Sequence, residues 1–289
     1  MNTIRKTRTL LALAVATAAA FGTVASASAA TLQQIKDKGV VRIAVANEIP
    51  YGFVDPSGEA KGAGPEVAKH IMEQLGVKEI KWVTTGFSSL IPGLKADQFD
   101  MVAAEMAILP QRCQQVSFSE PNSSYGEGLL VAKGNPDNLH KYEDFSESDK
   151  KIAIMAGADQ LEMLQKLGVD DGRMVTISNN ADAISTVSTG RAAAYAATSL
   201  TVSELAQKSD KVEAAEQFED PVIDGKPARS WGGFTFDQGS DDLRQAVNEE
   251  LAKFKKTPEW KNILTEYGFT EHDLEESTKQ TTEQLCAAK

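Results

Sequence analysis

Val102-Ala-Ala-Glu-Met-Ala-Ile-Leu-Pro-Gln-Arg-Cys-Gln-Gln-Val-Ser-Phe-Ser-Glu-Pro121 is the stretch on which the reading of this chain turns. The apolar run Phe99–Ala104 reads as a buried strand that stops at the charged Glu105. A turn through Pro110 follows, then a single Arg112, then Phe118-Ser-Glu-Pro121. A lone guanidinium just past the end of a buried strand is placed to hold a carboxylate through paired hydrogen bonds. Taken alone, an arginine at a helix start is more often simply solvated, so the surrounding pattern has to decide.

Working outward, Val40–Ala46 is rich in β-branched residues and predicts a buried first strand. Asn47–Tyr51 forms the loop at its end, and Phe53–Gly62 contains Asp55-Pro-Ser-Gly58, a hairpin or turn. Gly64-Pro65 opens a helix with the apolar stripe Val67, Ala68, Ile71, Met72 and Leu75, closed by Gly76. Strands at Ile80–Val83 and Phe99–Ala104 flank a helix at Ser88–Lys95. Strand and helix alternate, which is the pattern of an α/β lobe with a parallel sheet. After the polar stretch Asn135–Lys150 the pattern restarts. Strands are expected at Gly128–Ala132, Lys151–Met155, Met174–Ile177 and Ala193–Ala197, with helices after Gly157, at Ala181–Thr189 and at Val202–Gln207. Ser230–Phe236 reads as a further strand, followed by helices at Asp241–Lys255 and Trp260–Tyr267. No strand partners remain for them in the second lobe, so they are expected to return to the first. The expected organisation is a leader at 1–29, a discontinuous first lobe at 30–125 plus 229–289, and a second lobe at 126–228. Two crossings then make a hinged clamshell, with ligand bound where the strands end at the cleft.

Arg5, Lys6 and Arg8, the apolar run Leu10–Val24 and Ala27-Ser-Ala29 form a secretory leader, cleaved near Ala29. No cysteine follows that site, and no later segment is apolar enough to span a bilayer, so an exported protein with no direct membrane anchor is expected. Removing the leader changes the net charge from −11 to −14. Such an acidic chain is a poor partner for nucleic acid or anionic membranes. The two cysteines, Cys113 and Cys286, suggest one disulfide in an oxidising compartment, with two buried thiols as the alternative.

Several motifs, in order and spacing, now resemble a family. They are Pro50-Tyr-Gly-Phe53, Gly62-Ala-Gly-Pro-Glu-Val-Ala68, Phe87-Ser-Ser-Leu-Ile-Pro-Gly-Leu94, Phe99-Asp100, Pro110-Gln-Arg112, Phe118-Ser-Glu-Pro121, Ala156-Gly157 and Gly190-Arg191. The chain resembles the periplasmic solute-binding proteins of polar amino acid-type ABC transporters (solute-binding protein family 3), from about Leu32 to Gly268. Tyr125-Gly-Glu-Gly-Leu-Leu-Val131, Lys133-Gly-Asn-Pro136, Asp220-Pro-Val-Ile-Asp-Gly-Lys226, Thr282-Glu-Gln-Leu-Cys286 and the cysteine directly after Arg112 are most similar to the ectoine and hydroxyectoine binders.

The resemblance implies an α/β, two-lobe periplasmic binding protein fold of type II and a periplasmic receptor, expected to be a monomer. It delivers a small solute to the membrane permease of an ABC importer and needs no cofactor. It also implies that Arg112 clamps a ligand carboxylate near Gly157. Thr198 stands where an acidic residue usually holds an α-ammonium, and a threonine cannot neutralise a cation, so the ligand's positive charge belongs elsewhere or is spread out. Glu48 offers a counter-charge that can accept both N–H groups of a cyclic amidinium. Tyr51 and Phe87 can supply ring faces, each worth about 1 kcal/mol, although core packing is the ordinary role of such residues.

Three departures complicate the carry-over. Ala107 replaces an aromatic residue, Asp159 replaces a hydroxyl, and Glu105 replaces a small residue. If Glu48, Glu105 and Asp159 all face the cleft, Arg112 alone opposes three acids and the solute is more cationic than ectoine. Alternatively Glu105 or Asp159 caps a helix or pairs with Arg112. The leading expectation is a receptor for a small zwitterionic or cationic solute with a carboxylate, ectoine or hydroxyectoine first and a basic amino acid second. A dehydratase on the same fold is a distant third. The chain is not read as an enzyme. Its three histidines are far apart, and no metal site is expected.

Overall fold

Val40–Val45 forms the strand its β-branched residues demand, and it lies between two parallel neighbours, Glu79–Thr84 and Met101–Ala107. The structure, a computed structural model, describes residues 30–287. The leader expected at 1–29 and its cleavage site near Ala29 lie outside the described residues. The first sheet has the strand order Glu79–Thr84, Val40–Val45, Met101–Ala107, Ser230–Phe236, Ser117–Phe118, with Ser123–Tyr125 also paired to Ser230–Phe236. Ser230–Phe236 runs antiparallel to Met101–Ala107, so the C-terminal strand does return to the first sheet.

Helices cover this sheet through regular apolar stripes. Ala63–Gln74 buries Val67, Ala68, Ile71 and Met72, and Asp241–Phe254 buries Leu243, Val247, Leu251 and Phe254. Both stripes follow three- and four-residue spacing. They join Ile43, Phe234, Phe236, Trp260 and Leu264 in one core. Each fully buried side chain of this size contributes roughly 1.5–3 kcal/mol.

The second sheet has the order Met174–Ile177, Ile152–Met155, Ala194–Thr198, Glu127–Ala132, Val212–Ala214. Both of its faces are covered. Leu129, Val131, Ile152 and Ile154 point into one cluster with Tyr142 and Phe145, and Leu130, Ala153 and Met155 point into another with Tyr195 and Val202. Successive strand residues alternate sides, which is why these strands read as continuous apolar runs. The chain passes from the first sheet to the second at Gly126 and returns after Val212–Ala214, by way of a short hairpin, Val222–Ile223 with Lys226–Pro227.

One expectation is corrected. The strand after Gln98 does not stop at Glu105 but runs Met101–Ala107, entirely buried. The carboxylate is tolerated because Asn122 Nδ2 donates to it at 2.7 Å and the Ser123 hydroxyl donates to its other oxygen. Glu105 also has φ +48°, next to a register shift between Gly233 and Thr235 on the neighbouring strand. This is a left-handed backbone that few non-glycine residues adopt. Gly232 lies against this side chain, and a Cβ there would sit 2.9 Å from Glu105 Oε2.

Short C-terminal helices, Glu271–Glu276 and Thr282–Ala287, carry the chain back over the first lobe. They bring Cys286 to Cys113, and the two form a disulfide with a sulfur–sulfur distance of 2.06 Å. No helix among the described residues is long and apolar enough to cross a membrane.

Candidate functional site

Loops at the ends of the central strands place side chains from both lobes around one cavity. In the first lobe, Glu48 and Gly52 exchange backbone hydrogen bonds at 2.9 Å and so fold the loop after Val40–Val45 into a tight bridge. That bridge aims Glu48 and Tyr51 at the cavity. Phe87, Ala104, Glu105, Ala107, Arg112 and Tyr125 complete the first-lobe wall. Met155, Ala158, Asp159, Gln160, Tyr195, Ala197 and Thr198 form the second-lobe wall. The enclosed space is about 30 Å³, room for water-sized molecules. A solute as large as an amino acid therefore enters only when the lobes part.

Arg112 is 7% exposed and sits in the short helix Pro110–Cys113. Its Nη1 donates to the Ala107 carbonyl and its Nη2 to the Gly157 carbonyl, both at 2.9 Å. The second bond crosses from one lobe to the other. Gly157 is thus brought to Arg112 through its backbone; its φ of +82° is one a glycine takes without strain. The guanidinium lies over the Phe87 ring, 5.6 Å from its centroid. Phe87, expected to offer its face to a ligand cation, here offers it to Arg112.

Glu48 is 8% exposed and accepts from Asn180 Nδ2 at 3.1 Å, with the Thr201 hydroxyl at 3.5 Å. Asn180 is in turn fixed by the Tyr195 hydroxyl, which donates to its Oδ1. Burial and the neighbouring Asp159 push the Glu48 carboxyl up to about 7, against the opposing hydrogen bonds from Asn180 and Thr201. Tyr51 donates its hydroxyl to Thr198 Oγ1 at 2.7 Å. Its ring packs against Tyr125 and Phe269, with centroids 5.1 and 5.9 Å away. Thr198 caps the helix Ser199–Gln207 through the Thr201 amide.

All three acids weighed from sequence, Glu48, Glu105 and Asp159, line the cavity. The Glu105 carboxylate is taken up by Asn122 and Ser123. Asp159 stands at the start of the helix Gln160–Lys166 but makes no side-chain cap there; it accepts from the Ser230 hydroxyl at 2.9 Å. It pairs neither with the helix start nor with Arg112, the two alternatives open from sequence. The sequence reading missed Asn180, Tyr195, Gln160 and the buried Glu127. Asn180 follows the strand Met174–Ile177 as Glu48 follows Val40–Val45, a symmetry that could have flagged it, whereas Tyr195 lies within the strand Ala194–Thr198 and reads as core. Among the described residues no cluster of three or more His, Cys, Asp or Glu side chains could hold a metal ion.

The arrangement can do one thing directly: hold a small polar molecule between a guanidinium and carboxylates drawn from opposite lobes, with closure tied to cross-lobe hydrogen bonds. Known proteins share this architecture. A protein of Sinorhizobium fredii, described as a probable amino-acid ABC transporter periplasmic-binding protein, is 55% identical over 263 residues, covering 90% of this chain and 87% of the relative. The crystal structure of EhuB in complex with hydroxyectoine matches with a TM-score of 0.80 at 31% identity, covering 89% of this chain and 98% of that one. An ancestral amino acid-binding protein, described as a precursor of cyclohexadienyl dehydratase, matches with a TM-score of 0.71 at 27% identity over 82% of this chain and 98% of that one. Residues 41–271 match the bacterial extracellular solute-binding proteins, family 3, and the chain belongs to that family.

Proposed function

We propose that the protein is the periplasmic receptor of an ABC importer and that it takes a small solute carrying both a carboxylate and a delocalised or basic cation. The observation that carries this reading is the placement of Arg112 and Glu48, both nearly buried, on the wall of one cavity between the lobes. Arg112 spends one N–H on Ala107 and one on Gly157 in the closed form, which leaves further donors of its fork for a carboxylate. Glu48 supplies a counter-charge for the cation. Ectoine and hydroxyectoine fit this pairing, and the resemblance to the hydroxyectoine complex supports them. Binding bridges the lobes and shifts an open–closed equilibrium, and the closed form then engages a membrane permease. The lobes, 30–125 with 229–289 and 126–228, turn about the two crossings. The receptor acts as a monomer in the periplasm, and the S. fredii relative's description supports the compartment.

One observation favours a second reading. Asp159 joins Glu48 on the cavity wall, and with the Glu105 carboxylate taken up by Asn122 and Ser123 these two acids are left to oppose Arg112. A basic amino acid places an extra cation there, and that class ranks next. The dehydratase reading has only the distant ancestral neighbour in its favour.

The test is a thermal-shift and calorimetric panel of ectoine, hydroxyectoine, L-arginine, L-lysine, glycine betaine and putrescine. A bound solute raises the melting temperature by mass action. Ectoine or hydroxyectoine is expected to give the largest shift, and a larger shift with L-arginine selects the second reading. No shift with any of the six overturns the receptor assignment. A change in the mass of a solute after incubation overturns the non-enzymatic one.

A further inference from the structure

Glu127 lies behind the second-lobe wall and is 3% exposed. Its Oε2 accepts from Gln160 Nε2 at 2.6 Å and from the Tyr142 hydroxyl at 3.2 Å. Its Oε1 has no hydrogen-bond partner among the described residues, though it is fully buried. Native proteins rarely leave a buried carboxylate oxygen unmatched, and such an atom calls for a functional account. Glu127 stands directly across the strand pair from Thr198, which lines the cavity. Gln160 lines it too.

From this geometry we propose that Glu127 is a positioning residue of the solute site: it holds the Gln160 amide with its N–H end turned inward and its carbonyl end turned to the cavity, so that the second lobe reads an N–H donor on the solute. The argument rests on the receptor reading and deepens it. An ionised carboxylate accepts hydrogen bonds only, so it dictates which end of a neighbouring amide it meets. With Nε2 committed to Glu127, Gln160 Oε1 is the end left for a ligand. That acceptor lies beside Asp159, and together they suit the N–H groups of an amidinium, guanidinium or ammonium.

Protonation of Glu127 removes this dictate. A neutral carboxyl can donate as well as accept, and the amide is then free to turn its N–H end to the cavity. Acidic and phenolic groups face Glu127. They are Asp159 at the start of the helix Gln160–Lys166, Asp220 before the hairpin, Tyr142 in the turn Tyr142–Phe145, and Tyr51 from the first lobe. Burial, reinforced by Asp159, raises the carboxyl of Glu127 well above the usual glutamate range. A cationic solute prefers the ionised form, so binding releases a proton and tightens as the pH rises through this titration.

Two measurements on the mature chain test this. The first needs no solute. The Gln160 side-chain amide resonance, assigned by its loss in Gln160→Ala, is followed against pH by nuclear magnetic resonance. It is expected to move with a midpoint above the ordinary glutamate range in the wild type and to stay flat in Glu127→Gln, a variant of matching shape. A resonance that titrates identically in both overturns the proposal. The second is the dissociation constant, between pH 5 and pH 8, of whichever of ectoine, hydroxyectoine and L-arginine the wild type binds. Glu127→Gln is expected to weaken binding about tenfold at pH 8 and to flatten its pH dependence. Glu127→Asp, which keeps the charge, recovers part of that slope. Unchanged affinity and slope in Glu127→Gln overturn the positioning role while leaving the receptor reading intact. Failure of every solute of the six-member panel to bind overturns the receptor reading, and the amide titration then still decides the orientation of Gln160.

Discussion

The Tyr51 hydroxyl donates to the Thr198 hydroxyl at 2.7 Å, and this one bond joins the loop after the first strand of one lobe to the end of a strand in the other. Thr198 passes its own hydrogen to Thr201 at 3.1 Å, so a short relay runs from the first lobe into the start of the helix Ser199–Gln207. The relay exists only while the lobes are together. Replacing Tyr51 with phenylalanine keeps the ring against Tyr125 and Phe269 and removes the bond alone. The closed form is expected to lose about 1 kcal/mol relative to the open one, roughly a fivefold shift in population. Small-angle scattering of the solute-free protein should report a larger radius of gyration for Tyr51→Phe than for the wild type. An identical radius means that this bond does not set closure.

Glu48 makes stability depend on pH. Its carboxyl is held up at about 7 in the folded protein against an ordinary value of 4.5. Between these values the folded chain binds a proton that the unfolded chain has released, so stability falls as the pH rises through the window. The contribution is complete below about pH 4.5 and gone above about pH 7, with an upper size of about 3 kcal/mol. Buried Glu105 and Glu127 are shifted the same way and add to the slope. Lys255, pushed down to about 8 by burial, acts only at higher pH, where it makes stability rise. The melting temperature of the wild type is expected to fall across the acidic window, and Glu48→Gln to flatten part of that fall. A melting curve with the same pH slope in both places the titration elsewhere.

The fold was readable because its strands and helices carry the two periods that burial demands. Met174–Ile177 and Ser230–Phe236 fall where their apolar runs end, and the stripe Val67, Ala68, Ile71, Met72 marks its helix without ambiguity. Two long-range expectations held, the Cys113–Cys286 pair and the return of Ser230–Phe236 to the first sheet, but the environment of single side chains was not legible. Glu105 looked like a strand terminator because nothing local shows that Asn122 and Ser123 wait for it. The strands Ser123–Tyr125 and Val212–Ala214 are short and went unread, since pairing with a neighbour defines them more than composition does. In the site, Arg112, Glu48, Tyr51 and Asp159 were legible as polar residues at strand ends. Glu127 was not, because it opens an apolar run that reads as plain core.

Arg112 carries the heaviest load of the proposed site. Truncation to alanine removes the bond to Ala107, the cross-lobe bond to Gly157 and the charge that opposes Glu48 and Asp159. Loss of one partner from a nearly buried charged contact weakens binding by roughly 2–5 kcal/mol, at least about thirtyfold. Arg112→Lys keeps the charge but not the planar fork, so it is expected to recover only a small part. Isothermal titration of both variants with the solute selected by the panel checks this. Wild-type affinity in Arg112→Ala removes the guanidinium from the recognition scheme.

Cys113 follows Arg112 directly, and its bond to Cys286 ties the last described helix to the one that carries the guanidinium. The two cysteines are 173 residues apart, so the cross-link constrains a long stretch of the unfolded chain. Cys286→Ser, made together with Cys113→Ser to leave no free thiol, is expected to cost about 2–5 kcal/mol of stability. Denaturant unfolding measures it directly. A midpoint unchanged by the double substitution means that packing alone holds the tail.

Gly157 offers the sharpest separation of closure from folding. Its φ of +82° is open to glycine, and its carbonyl receives Arg112 Nη2 from across the cleft. A Cβ built there would lie 3.1 Å from the Ser88 Cα, a backbone atom of the opposite lobe. Gly157→Ala therefore carries two costs. The left-handed backbone strains both open and closed forms by roughly 1–2 kcal/mol. The contact with Ser88 burdens the closed form alone, because Ser88 moves away when the lobes part. The melting temperature is thus expected to drop modestly, while affinity drops further than the loss of folding stability explains. Solution scattering in the presence of saturating solute should show the variant more open than the wild type. Should affinity stay unchanged while the melting temperature falls, Ser88 and Gly157 do not meet in the bound state, and the closed geometry seen here is not the one that grips the solute.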